Sequence, residues 1–99
     1  MTPDEAQLHA RAMMLIAHLR RKGQTQGYYK RRVESALESL ERNSPGRYTR
    51  NGWMEVLFAT MEREVKRRPH GGPQDVRDWW ASFGRAAMRA HVERVRAGG

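Results

Sequence analysis

Cysteine is absent from this chain, so neither a disulfide framework nor a cysteine-based zinc site can hold it together. Such a composition suits a reducing compartment. Long apolar runs are missing too. The longest, Ala12 to Ala17, falls far short of a bilayer span, so no membrane association is expected. Apolar residues are scarce at 38%, against 30% charged, which predicts a thin core under a charged skin. A chain of 99 residues makes one small domain rather than two. It can bury roughly two-thirds of its unfolded surface, and a homodimer or partner interface would add to that burial. The first residues, acidic at Asp4 and Glu5, lack the basic-then-apolar order of a signal peptide. The expected location is the cytoplasm.

The groups that enzymes use are equally sparse. The histidines, His9, His18, His70 and His91, form no i, i+4 metal pair with one another. His9 has only Glu5 nearby, and His70 sits in a Gly-Pro loop. Ser35, Ser39, Ser44 and Ser82 lie in no nucleophile motif. Gly71-Gly72 follows no strand and makes no phosphate loop. The expectation is a protein that is not an enzyme, with no catalytic residue, no metal site and no cofactor.

Apolar-polar alternation long enough for a strand is also lacking, which leaves helices. The first is expected over 3–22. Thr2 and Glu5 have capping-box spacing, Pro3 suits the first helical position and Gly23 is a natural stop. The second spans 26–43, with Tyr29, Val33, Ala36, Leu37 and Leu40 on one face. The third spans 51–68, with Asn51 as its cap and Thr49 as a second candidate. The fourth spans 73–97 after the breaker from Pro69 to Pro73. Its apolar face reads Val76, Trp79, Trp80, Phe83, Ala87 and Ala90, continued by Val95, with Gly84 marking a kink or a close approach. The fold class is therefore all-α: a single helical domain over 1–99, arranged as a bundle or an orthogonal helical array.

What the chain has in abundance is positive charge, a net of +8 with sixteen of 19 basic residues arginine. Arginine suits bidentate phosphate contacts and stacking on bases. The short linker brings Arg20, Arg21 and Lys22, at the end of the first helix, near Lys30, Arg31 and Arg32, early in the second. The first three suit a helix C-terminus, whereas the second three oppose the macrodipole, a local rule broken where an anion would dock. Tyr28 stands beside them, and Arg47, Tyr48 and Arg50 add a second aromatic among cations. These residues form the candidate site for nucleic acid, DNA or RNA, with tyrosines available to stack on unpaired bases. The run Val33 to Leu40 resembles, in its apolar spacing, the recognition helix of a helix-turn-helix. That resemblance implies Lys30, Arg31 and Arg32 near a DNA groove.

A second reading makes the chain a protein-interaction module docking on an acidic surface. Trp79 and Trp80 point about 100° apart on a helix, so only one can face the core. The other, with Arg85 and Arg89, would form the interface.

Overall fold

Threonine hydroxyls open the first three helices. Thr2 accepts from the Glu5 N–H at 3.1 Å, Thr25 from Tyr28 at 3.2 Å and Thr49 from Gly52 at 3.0 Å. Each satisfies an amide that no helical carbonyl can reach. The computed structural model describes residues 2–21, 23–67 and 76–98. In it these caps start α1 (Pro3–Leu19), α2 (Gln26–Asn43) and α3 (Arg50–Lys66). The cap of α3 is thus Thr49 and not Asn51, which lies inside the helix. Helix α1 stops at Leu19, and Lys22 lies outside the described residues, as does the Pro-Gly segment from Pro69 to Pro73.

The fourth helix, α4, runs through an α-helical turn Val76–Trp79, a π-helical turn Trp80–Gly84 and an α-helical stretch Arg85–Gly98. The π turn alters part of the apolar face expected from spacing, while Val76, Trp79, Trp80, Ala87 and Val95 still pack in or against the core. An ordinary helix starting from Val76 and Trp80 would next bury residues 83, 87 and 90. One extra residue in the π turn shifts that series by one, so Gly84, Met88 and His91 point inward, followed by Val92. Phe83 is displaced outward and is 49% exposed, and Ala90 is exposed as well.

Contacts between helix ends fix the topology. Asn43 reaches Gln7, and Ser44 donates to Asp4 at 2.6 Å, while at the other end Tyr29 donates to the Leu19 carbonyl at 2.5 Å. Helices α1 and α2 are therefore an antiparallel hairpin. This is not the steep crossing of a helix-turn-helix, so the likeness of Val33–Leu40 to a recognition helix stops at its spacing. Arg85 bonds Glu62, and Arg96 bonds Glu55, so α3 and α4 are antiparallel too. Helix α3 is the hub. It packs on all the others and buries Trp53, Met54, Leu57 and Met61 completely. Fully burying such a side chain contributes roughly 1.5–3 kcal/mol. The result is a single all-α domain of four helices, flattened to 17 Å along its shortest axis, and the described residues contain no strand.

Candidate nucleic-acid interface

The corner between α1 and α2 is built by a turn and two side chains. Gly23 takes a left-handed φ of 79°, which a residue with a Cβ rarely adopts. Thr25 then caps α2, and the Tyr29 hydroxyl ties α2 to the last carbonyl of α1. Arg21, Lys30 and Arg31 project into solvent there, with Arg20 and Arg32 half-buried. The Arg32 guanidinium lies 5.0 Å from the Tyr28 ring centroid. Such a cation–π contact pre-orients the guanidinium while leaving its N–H groups for another partner. Because α2 begins at Gln26, Lys30 already stands in its second turn. The helix dipole has largely faded by then, so crowding with like charges, more than the dipole, sets the electrostatic cost of these cations.

The distribution of charge separates this corner from the rest of the surface. From Ala6 to Val33 the chain holds seven Lys or Arg residues and no carboxylate. Everything else holds twelve cations against all eleven carboxylates, so seven of the eight net charges reside in that one stretch. Elsewhere several arginines are paired, although Arg42, Arg63, Arg89 and Arg94 have no carboxylate within ion-pair distance among the described residues. Arg47 pairs with Asp4 at 2.9 Å, Arg50 with Glu41 at 2.8 Å and also with Glu34, and Arg85 and Arg96 with Glu62 and Glu55. The Arg85 hydrogen bond is the main reason the Glu62 carboxyl sits below its ordinary pKa. Among the described residues, Arg21, Lys30, Arg31 and Arg32 have no carboxylate within ion-pair distance.

The structure divides the residues that the sequence grouped together. Arg47 and Tyr48 sit beside Asp4, at the opposite end of α1 from Arg20 and Arg21, a separation of roughly 22 Å along the helix. Tyr48 is 38% exposed and packs edge-on against Trp53, with ring centroids 4.8 Å apart. Arg50 bridges two carboxylates of α2 and so acts as a structural clamp. On α4, Trp80 is 5% exposed and belongs to the core, while Trp79 packs half-buried at its edge. Arg89 lies over the Phe58 ring at 4.8 Å. The aromatic that α4 presents to solvent is therefore Phe83 and not Trp80.

Two residues missed in the sequence complete the basic face. Arg11 and His18, two turns apart on α1, line a shallow groove against Arg32 and Ser35 of α2. The acid-free stretch was the available signal for them. Burial, then the fields of Arg32 and Arg21, lower the His18 pKa below its ordinary value. A second and larger cleft, about 500 Å³, opens where α2 and α4 both pack on α3 but hardly touch each other. Tyr29, Phe83, Ala87, Ala90, His91 and Arg94 line it. Burial lowers the His91 pKa most, with Arg94 and Lys30 adding to the effect and Glu34 opposing it. Among the described residues, no group of three or more His, Asp or Glu side chains could hold a metal ion, and no helix is long and apolar enough to cross a membrane. Comparison with protein families, with characterised proteins and with solved structures finds no match to this chain.

Proposed function

We propose that this chain is a small, non-catalytic nucleic-acid-binding protein that contacts phosphates through the α1–α2 corner. Arg21, Lys30, Arg31 and Arg32 are the phosphate-contacting groups, and Tyr28 adds a ring beside them. The observation that carries the reading is the concentration of seven of the eight net charges in one acid-free stretch folded into one hairpin. A protein that needed charge only for solubility would have no reason to segregate it.

Fluorescence anisotropy with duplex DNA, single-stranded DNA and RNA, each across a salt series, tests this. About four phosphate contacts give a slope of log K against log salt near −3.6 for duplex or −2.8 for single strands. Affinity should then fall by roughly 150-fold for duplex and roughly 50-fold for single strands between 50 and 200 mM salt. Absence of binding to all three at 20 mM salt would remove the reading.

One observation favours a second reading, docking on an acidic protein surface: Phe83 stands 49% exposed over the α2–α4 cleft. That reading gains if no nucleic acid binds, and if an acidic partner retained after nuclease treatment is lost on Phe83→Ala.

A further inference from the structure

Two residues that line the groove between α1 and α2 carry buried polar atoms with no partner in the protein. The Nε of Arg11 and the Nδ1 of His18 are both buried and have no hydrogen-bond partner. The Arg11 guanidinium is turned along α1 toward Met14, whose sulfur it reaches at 3.8 Å, a weak acceptor for a full positive charge. Arg32 approaches from α2, with Ser35 one turn further along. No carboxylate lines this space. Arg21 also bears on His18 from the end of α1, so like charges converge with no counter-charge among them. Polar atoms buried in a native fold are almost always paired, and an unpaired set points to a missing partner.

Size and chemistry narrow that partner. The groove offers about 40 Å³. A water-sized group needs roughly 10–15 Å³, so about three such oxygens fit. The donor side chains come from two helices that flank the groove, which suits an anion with several acceptor oxygens. The guanidinium groups of Arg11 and Arg32 and the Ser35 hydroxyl can all donate. His18 lines the same groove and donates through a protonated ring nitrogen. Phosphate oxygens are acceptors only, so each donor finds a match.

We infer that this groove seats a single phosphate group, held by Arg11, His18, Arg32 and Ser35. The inference rests on the nucleic-acid reading for the source of that phosphate. Within it, the groove is the fixed anchor, and the exposed cations at the corner supply diffuse attraction. The phosphate is an internal diester or a terminal monoester of the bound strand.

The test follows the His18 ring resonances by NMR at constant ionic strength. The titrants are inorganic phosphate and a single-stranded oligonucleotide carrying either a 5′-phosphate or a 5′-hydroxyl. Wild type should show a saturable His18 shift. Arg11→Gln and Ser35→Ala, each with helical content checked by circular dichroism, should weaken inorganic phosphate binding, Arg11→Gln by tenfold or more. Lys66→Gln, exposed on α3 and outside the groove, should change it by less than twofold. A preference of the seat for the 5′-phosphorylated strand assigns a terminal monoester, and equal response to both strands assigns an internal diester. A His18 shift that is linear in phosphate, or unaltered by Arg11→Gln, overturns the seat. Should oligonucleotides bind without moving His18, the seat falls and the nucleic-acid reading stands. Saturable phosphate binding with no oligonucleotide binding at low salt does the reverse.

Discussion

Gly84 lies against the indole of Trp79. A Cβ there would come within 2.7 Å of Cη2 and 2.9 Å of Cζ2 and Cζ3, closer than carbon atoms tolerate. Alanine normally gains about 1 kcal/mol over glycine inside a helix. Here that gain opposes an overpacking cost of about 1–3 kcal/mol. Gly84→Ala should therefore lower Tm by several degrees and alter tryptophan fluorescence. Gly27→Ala, whose nearest contacts would be ordinary at 3.6 Å, should be neutral or slightly stabilising. A second residue-scale effect comes from His91. Its Nδ1 lies 2.7 Å from an Arg94 guanidinium nitrogen, and a guanidinium can only donate, so the ring is neutral with its proton on Nε2. Burial lowers its pKa in the folded state, so below about pH 6.5 the unfolded chain binds more protons and stability falls with pH. This contribution is fully present above that range and is lost as pH drops toward the folded pKa. His18, lowered for its own reasons, acts with the same sign. Thermal melts at pH 7 and pH 5 should show a drop in Tm that His91→Gln reduces without abolishing.

At the scale of the helix, the α1–α2 hairpin depends on a hydrogen bond between elements. Tyr29 is buried, and its hydroxyl holds the final carbonyl of α1. Burial pushes its pKa up, which keeps the hydroxyl a donor at any physiological pH. Tyr29→Phe leaves the Leu19 carbonyl unpaired, at a cost of about 1–3 kcal/mol. For a domain this small each kcal/mol lowers Tm by about 4–8 °C. Phe retains the ring, so circular dichroism at 20 °C should be unchanged while the melt shifts. The same hairpin shows what could be read from the sequence. Helices α1, α2 and α3 were legible because their starts are marked by local chemistry, at Thr2, Thr25 and Thr49, and their faces by simple spacing. The inward face of α4 was legible only in part, at Val76 and Trp80 and at Trp79, Ala87 and Val95 on the rim of the core. Its π turn packs the Trp79 ring against Gly84, a tertiary event, and that inserted residue moves burial from Phe83 and Ala90 to Gly84, Met88 and His91. A trace existed in the run Val76, Trp80, Gly84, Met88, Val92, spaced by fours. In an ideal helix that row drifts by about 40° per step and cannot stay buried.

For the whole molecule, the question is whether partners respond to net charge or to its placement. The corner of Arg20, Arg21, Lys30, Arg31 and Arg32 was visible in the sequence because a short linker joins two runs of cations. The engagement of Arg50 by Glu34 and Glu41 was not, because those carboxylates meet it only once α3 packs on α2. Two double variants separate placement from total. Arg31→Glu with Arg32→Glu, and Arg63→Glu with Lys66→Glu, change the formal charge equally. The second pair is exposed on α3 and flanks Glu64, which meets His9 in the first half of α1. If placement governs, the first pair should lose nucleic-acid affinity by on the order of a hundredfold at 50 mM salt, since two phosphate contacts are lost and two repulsions added. The second pair should lose only a few-fold. Equal losses would mean that binding tracks net charge and that the corner is not an interface. Stability should move the opposite way. Carboxylates at 31 and 32 relieve the crowding of like charges in the acid-free stretch, whereas carboxylates at 63 and 66 oppose the dipole at the C-terminus of α3. The variant that binds worst should therefore melt higher than the variant that binds nearly normally. A loss of affinity through unfolding would give the reverse order, so the two melting curves decide whether the surplus charge serves binding or merely follows from the fold.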